Sequence, residues 1–182
     1  MKRTSGRKTN TAINTYRSFC TRRAFVFSAE ETGSIQGNQP TAPHMTTQYW
    51  LVKSEPEAYA WETFVKDGRT AWTGVRNYAA RLHLNAMRPG DKVFFYASGG
   101  PKAVIGTAEV TKPAFPDTTA DEPGWVAVEL KAGKPLARPV TLAQIKADPI
   151  LAKIALVRQG RLSVSPLAKA EFEQILKLGS DK

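Results

Sequence analysis

The sequence is poor in the residues that most metal and redox sites use. Its 182 residues include one cysteine, Cys20, and two histidines, His44 and His83. A single thiol cannot form an internal disulfide, and a structural or catalytic zinc ion is usually held by three or four side chains rich in Cys and His. A disulfide framework and a zinc hydrolase are therefore excluded, and we expect no metal ion or other cofactor.

Long apolar runs are also missing. The longest stretch, Val93–Ala97, is far shorter than the roughly 20 residues that cross a bilayer. The phosphate-binding P-loop pattern is absent as well, and Gly99-Gly100 fits a hairpin turn. With 42% hydrophobic and 23% charged residues, the composition predicts a globular protein without a membrane partner. We expect it in the cytoplasm, or in the nucleus or an organelle of a eukaryotic cell.

Positive charge is abundant and unevenly distributed. The formal net charge is +10, and residues 1–44 carry seven basic and two acidic side chains. This segment is rich in Thr, Ser, Gly and Asn and has no sustained hydrophobic period, which predicts a disordered basic extension. Three interpretations stay open: an organellar transit peptide, a flexible arm for nucleic acid, or sequence upstream of a true start at Met45.

Residues 45–182 are predicted to form one α+β domain, a small curved β-barrel or sheet flanked by short helices. Apolar and β-branched runs predict the strands, whereas apolar spacing, capping residues and glycine stops predict the helices. The strands are expected at residues 49–52, 92–97, 103–110, 125–131 and 162–165. Helices are expected at residues 61–67, 77–86 and 151–157. A further short helix is expected to begin at the Thr141–Gln144 capping box. The last helix is expected to run from Ser165 as N-cap, with Pro166 at its first position, to Gly179.

Catalytic constellations are sparse. His83 falls in the middle of a predicted helix, where an isolated histidine is typical of packing. Glu55 beside Ser54 is a candidate general acid or base, but no second carboxylate accompanies it at a useful spacing. We therefore expect a protein that is not an enzyme. The alternative is a small enzyme acting on a nucleotide, with Glu55 as acid/base and Ser54 as its partner.

Three segments mix basic, amide and aromatic residues at the ends of predicted elements: 53–56, 72–78 and 158–165. Such side chains suit a nucleobase, since aromatic rings stack on it, amides and hydroxyls pair with its edge, and guanidinium groups hold phosphates. The structural alternatives are also open, because Trp72 fits a core position and Arg76 and Arg161 fit ion pairs with Glu55 or Asp91. The candidates are Trp72 or Tyr78 for stacking, Ser54, Asn77 and Gln159 for pairing, and Arg76 and Arg161 for phosphates.

Four motifs in matching order resemble the EVE domain, the family of thymocyte nuclear protein. They are YWLVKSEP (49–56), WTGVRNY (72–78), GDKVFFY (90–96) and QGRLSVSP (159–166), and the likeness covers residues 47–179. The resemblance implies a PUA-like fold and a pocket for a flipped or unpaired, modified base of DNA or RNA. It places these residues near the pocket: Lys53, Ser54, Glu55, Trp72, Arg76, Asn77, Tyr78, Tyr96, Ser98, Gln159, Arg161 and Ser163.

The sequence departs from the family pattern in two places. Ala97 stands where the family commonly has His, so one polar group is missing from the expected rim. The stretch between Phe115 and Trp125 is short, where many relatives carry a longer acidic insertion. The expected function is a monomeric, non-enzymatic reader of a modified base. A protein-interaction module whose basic face meets an acidic partner is a further alternative.

Overall fold

The structure is a computed structural model that describes residues 46–180. The predicted N-terminal extension, residues 1–44, lies outside the described residues, as do Cys20 and His44. No helix between residues 46 and 180 is both long enough and apolar enough to span a membrane.

The described residues form six strands and five short helices. The strands are β1 (Tyr49–Ser54), β2 (Arg69–Ala71), β3 (Lys92–Ala97), β4 (Ala103–Pro116), β5 (Val126–Thr141) and β6 (Val164–Leu167). The helices are α1 (Trp61–Asp67), α2 (Tyr78–Ala86), α3 (Leu142–Ala147), α4 (Ala155–Arg158) and α5 (Lys169–Leu178).

The strands form one mixed sheet in the order β2-β5-β4-β3-β1-β6. Strand β1 runs parallel to β3, and the other neighbouring pairs are antiparallel. The α+β class is therefore confirmed. Backbone hydrogen bonds do not close the sheet into a barrel, because β2 and β6 remain its two edges.

Strands β1 and β3, which are neighbours in the sheet, are buried on both faces, which explains their unbroken apolar sequences. On one face, Trp50 and Phe95 pack in a core cluster with residues of α1 and α2. On the other face, Leu51 and Phe94 pack in a second cluster that includes Phe172 of α5. The sheet thus lies between two layers of helices. The segments that follow the strand ends lie outside the sheet and are available to bind a ligand.

Local signals in the sequence place several helix ends correctly. Asn77 caps α2, since its Oδ1 accepts a hydrogen bond from Ala80 N at 3.0 Å. The predicted capping box at Thr141 and Gln144 opens α3, with both reciprocal hydrogen bonds present. Gly68 ends α1 with a positive φ of 70°. Each of these signals works because the residues that satisfy the helix end are sequence neighbours.

The prediction for residues 165–166 is wrong. Ser165 does not cap a helix, because it is buried in β6 opposite Leu51, and Pro166 continues the same strand. Helix α5 begins later, after Ala168, whose N–H donates to Glu171 Oε2 at 2.7 Å. Pro166 is tolerated because β6 is an edge strand, where a residue without an N–H costs no ladder hydrogen bond.

Candidate functional site

A cavity of about 470 Å³ opens where β1 ends and β2 leads into the segment 72–76. The cavity is lined by Thr70 and Ala71 of β2 and by Ser163, the residue before β6. It therefore lies where the two edges of the open sheet, β2 and β6, face each other. This first cavity is within the size range of small-ligand sites. It is lined by Lys53, Ser54, Glu55, Ala58, Tyr59, Thr70, Ala71, Trp72, Thr73, Gly74, Val75, Arg76 and Ser163.

A second cavity of about 560 Å³ lies next to the first one. The two cavities share Lys53, Glu55 and Ser163, which form the wall between them. The remaining lining residues of the second cavity are Tyr96, Ser98, Lys102, Leu142, Leu156, Gly160 and Arg161. Nine of the twelve predicted site residues therefore line one or both of two adjoining cavities.

The shared wall is held in place through Lys53. The Lys53 ammonium donates a hydrogen bond to the Gly160 carbonyl and lies 6.0 Å from the centre of the Tyr96 ring. The Lys53 backbone N–H donates to the Ser163 carbonyl at 2.8 Å. Burial lowers the pKa of Lys53 and raises the pKa of Tyr96. Lys53 thus joins β1 to the segment before β6 and brings a cation to both cavities.

The hydroxyls of Ser54 and Ser98 shape the loop that follows β1. Ser54 Oγ donates to the Tyr59 carbonyl at 2.7 Å, and Ser98 Oγ donates to the Ser54 carbonyl at 3.1 Å. Both protons are therefore used within the protein. Each hydroxyl oxygen still has lone pairs with which it can accept a hydrogen bond from a ligand.

Trp72 and Tyr59 form an aromatic wall of the first cavity. Trp72 is only 7% exposed and belongs to the core cluster, with edge-on contacts to Tyr59 and Phe95 at ring-centre distances of 6.3 and 5.9 Å. Trp72 thus occupies the core position that the sequence left open as an alternative, and it also lines the first cavity. Tyr59 was not predicted from the sequence, although an aromatic residue four positions after Glu55 was a usable signal.

Arg76 is fixed by Asp117, a residue that the sequence analysis did not select. The Arg76 guanidinium donates to Asp117 Oδ2 at 2.7 Å and to Thr119 Oγ1 at 3.2 Å. Gly74 N donates to the same Asp117 oxygen at 2.9 Å. The Asp117 side chain is fully buried. The alternative that Arg76 pairs with Glu55 or Asp91 is therefore wrong, because its ion-pair partner is Asp117.

The charge state of Asp117 results from two opposing effects. Burial of the carboxyl favours its neutral form, but hydrogen bonds from Thr119, Arg76 and Gly74 outweigh burial and hold the pKa of Asp117 well below its usual range. The carboxylate therefore stays charged and keeps the segment 72–76 attached to the loop after β4.

Three predicted site residues line neither cavity. Asn77 uses its side-chain oxygen to cap α2. Tyr78 is 68% exposed and packs against Trp125, with their ring centres 5.2 Å apart. Gln159 is an exposed residue at the C-terminal end of α4, where its N–H donates to the Ala155 carbonyl at 2.8 Å. The structure thus places Tyr78 beside the first cavity rather than inside it.

Comparison with known proteins identifies the family. Residues 48–178 match the EVE domain. The chain belongs to the EVE domain family. Human thymocyte nuclear protein 1 is 28% identical over 193 residues, covering 83% of this chain and 85% of that protein. The mouse protein of the same name is 32% identical over 167 residues, covering 72% of this chain and 74% of its own.

Solved structures agree with this EVE fold. A Rhodopseudomonas palustris protein determined by NMR is 47% identical, with a TM-score of 0.70 over 73% of this chain and 93% of that chain. The human THYN1 protein, crystallised in complex with DNA that contains 5-methylcytosine, is 29% identical, with a TM-score of 0.70 over 75% of this chain and 99% of that chain. The resemblance that the four motifs predicted is confirmed.

The charge around the two cavities of this EVE domain is mainly positive. One carboxylate, that of Glu55, lines them, and it is exposed. Within residues 46–180, Arg161 has no ion pair with Glu55 or Asp91. The carboxylate of Asp91 instead accepts a hydrogen bond from Trp50 Nε1 at 2.9 Å. The basic side chains that line the cavities are Lys53, Arg76, Lys102 and Arg161.

The geometry does not support the alternative in which Glu55 and Ser54 form the catalytic pair of an enzyme. The Ser54 hydroxyl donates to backbone carbonyls rather than to the Glu55 carboxylate, so the proposed catalytic pair is not formed. His83 packs at 6.0 Å from the ring of Trp50, and burial lowers the pKa of His83. Within the described part of the chain, no group of three or more His, Cys, Asp or Glu side chains is arranged to hold a metal ion.

Proposed function

We propose that this EVE domain binds nucleic acid and accepts one modified base in the first cavity, without catalysing a reaction. The observation that carries the proposal is the first cavity itself, because it joins an aromatic wall of Tyr59 and Trp72 to hydrogen-bonding and basic groups. A heterocycle needs this combination, since its faces are apolar and its edge carries donors and acceptors.

The likeness to human THYN1 supports the choice of ligand. That protein was crystallised with DNA containing 5-methylcytosine, and it shares the fold of this chain at 29% identity. We infer that the ligand of this chain is likewise a DNA or RNA strand with a modified base. Lys53, Arg76 and Arg161 then bind phosphates around the opening, while Ser54 and Ser163 contact the base.

In the proposed complex, the binding energy comes from two kinds of contact, those with the phosphates and those with the base. Taking a base out of a duplex costs a few kcal/mol, and cationic side chains that bind phosphates offset this cost. A methyl group on the base is buried against apolar lining residues such as Ala58, Ala71 and Val75. Burial of one methyl is worth about 0.8 kcal/mol, so we expect a preference of about fourfold for 5-methylcytosine over cytosine.

A variant that fills the first cavity tests the proposal. Ala71 is an exposed residue of β2 that lines this cavity, so a larger side chain there is accommodated by the fold but occupies the ligand's place. We expect Ala71→Trp to retain the thermal stability of the wild type. Its binding to oligonucleotides with 5-methylcytosine should fall to that for unmodified oligonucleotides, as measured by fluorescence anisotropy.

The matched control is Ala170→Trp, which adds the same side chain at an exposed position of α5 outside both cavities. This variant should bind like the wild type. The proposal is wrong if Ala71→Trp keeps the wild-type preference for the modified base, or if full-length protein converts a candidate nucleotide into a product.

A further inference from the structure

An aromatic cluster in which one ring is exposed lies beside the first cavity, on α2 and the loop before β5. It consists of Tyr78, Arg81 and Trp125. The Arg81 guanidinium lies 5.0 Å from the ring centre of Tyr78 and 5.3 Å from that of Trp125. Arg81 is itself fixed, because it donates to the Gly124 carbonyl at 3.1 Å. The Tyr78 ring is therefore held in place while most of its surface faces solvent.

Arg76 connects this aromatic cluster to the first cavity. Its guanidinium lines the cavity and lies 5.8 Å from the centre of the Trp125 ring. Arg76 and Tyr78 are two residues apart, so their Cα atoms are separated by at most about 7 Å. That distance corresponds to no more than about two stacked base steps of roughly 3.4 Å each. A nucleotide one or two positions along the strand from one held in the cavity can thus reach the Tyr78 ring.

We propose that the Tyr78–Arg81–Trp125 cluster is a second contact with nucleic acid, on which a base flanking the captured base stacks. This proposal rests on the proposed function, because it takes a strand bound at the first cavity as its ligand. A held ring loses little entropy when a base stacks on it, and stacking on an aromatic side chain tolerates any base. The cluster therefore adds affinity without reading the modification.

Stacking rather than charge is the main contribution of this cluster. The loop that supplies Trp125 also carries the exposed carboxylates of Asp121 and Glu122, which offset the positive charge of Arg81. We expect the basic residues around the two cavities to bind the phosphates. Loss of a cavity cation should therefore change the dependence of affinity on salt concentration, whereas loss of the Tyr78 ring should not.

The test compares Tyr78→Ala with Leu82→Ala in the full chain. Leu82 is 67% exposed on the same helix, and Tyr78 is 68% exposed, so neither truncation removes a core side chain. The probes are single-stranded and duplex oligonucleotides with and without 5-methylcytosine, measured over a range of salt concentrations. We expect Tyr78→Ala to weaken binding about 5- to 100-fold for modified and unmodified probes alike. Its dependence on salt should stay that of the wild type.

One further variant serves as a second control. Tyr78→Phe keeps the ring and should bind like the wild type, as should Leu82→Ala. The cluster proposal is overturned if Tyr78→Ala binds normally, or if it loses binding only to the modified probe, which would make Tyr78 part of the base pocket. Equal losses for Tyr78→Ala and Leu82→Ala would also overturn it, because the loss of binding would then not depend on the aromatic ring.

The outcomes separate the two proposals. If the wild type prefers the modified probe and Ala71→Trp abolishes that preference while Tyr78→Ala has no effect, the cavity function stands and the cluster proposal fails. If the wild type binds none of the oligonucleotides, the proposed function fails and the cluster proposal fails with it.

Discussion

The Asp117 carboxylate accepts hydrogen bonds from Gly74 N, from the Arg76 guanidinium and from the N–H and hydroxyl of Thr119. These bonds join two loops that are more than 40 residues apart in sequence. Because Gly74 and Arg76 both line the first cavity, one buried carboxylate determines the position of that wall.

We predict that Asp117→Asn lowers the free energy of unfolding by about 2 kcal/mol at pH 7, because charge-assisted hydrogen bonds are lost. The pKa of Asp117 is lower in the folded than in the unfolded state. The ionised carboxylate therefore makes its full contribution to the free energy of unfolding above the unfolded pKa of about 3.9, and this contribution declines as the pH falls below that value. The difference between wild type and variant should shrink by about 1 kcal/mol between pH 5 and pH 3. Urea unfolding at the two pH values measures it, and a difference that does not depend on pH would contradict the assignment.

The sequence could suggest which residue types form the site but not all of their partners. Trp72 and Arg76 both line the first cavity, and both belong to one short segment with a recognisable composition. Asp117 was missed because its partners are distant in sequence and no local pattern links them. Trp72 is only 7% exposed, so Trp72→Ala would disturb the core as well as the cavity. Removing a buried tryptophan costs about 3–5 kcal/mol.

Helix α2 depends on a residue that the family resemblance assigns to the ligand. Asn77 Oδ1 accepts from Ala80 N, so we predict that Asn77→Ala lowers the free energy of unfolding by about 1 kcal/mol. Asn77→Asp keeps the capping oxygen and should restore that stability. If the Asn77 amide also donates to a base, Asn77→Asp should be stable yet bind the modified oligonucleotide more weakly. Thermal unfolding together with anisotropy separates the two roles, and equal stability of all three proteins would contradict the capping role.

Strand β4 approaches α1 closely at one glycine. A Cβ on Gly106 would lie 2.4 Å from atoms of the Trp61 ring, whereas one on Gly100 would meet nothing within 4 Å. We predict that Gly106→Ala destabilises the protein by about 1–3 kcal/mol, because Trp61 must move. Gly100→Ala is the control and should change stability by less than about 0.5 kcal/mol. Chemical denaturation measures both, and equal effects would show that Trp61 does not pack on β4 as described.

Helices and strands that carry a local sequence signal could be predicted. Strands that form only by pairing with a distant part of the chain could not. Strands β1 and β3 were located by their apolar sequences. Strand β2 was missed, because its three residues carry no hydrophobic pattern and form a strand only by pairing with residues 129–131 of β5. Strand β5 extends beyond its predicted end through Pro135 and Pro139, which usually interrupt strands. Its ladder with β4 shifts register on both sides of Pro135, between Val104 and Gly106 and between Gly106 and Ala108 of β4, which accommodates the prolines.

The open sheet is the feature of the whole molecule that creates the site. A sheet closed by hydrogen bonds would bring β2 and β6 together, whereas here both remain edges and the first cavity lies between them. The sequence predicted a small curved sheet or barrel, but it could not show where the strands fail to pair. That gap depends on the register of all six strands together.

At the same scale, positive charge around the cavities predicts how binding depends on salt. Lys102 and Arg161 line the second cavity, and we expect each to contact a phosphate. Lys102→Ala and Arg161→Ala should each reduce the slope of log affinity against log salt by about 1. Lys169→Ala, on the exposed face of α5, is the control and should leave the slope unchanged. Titrations at several salt concentrations measure the slopes, and equal slopes for all variants would show that phosphates bind elsewhere.

NMR mapping of the full chain with oligonucleotides that differ only in one 5-methyl group tests whether the modified base enters the first cavity. We predict that the amide signals that differ between the two complexes belong to residues 70–76, to Tyr59 and to Ser163, which line the first cavity. Differences confined to residues outside both cavities, or identical spectra for the two oligonucleotides, would contradict it.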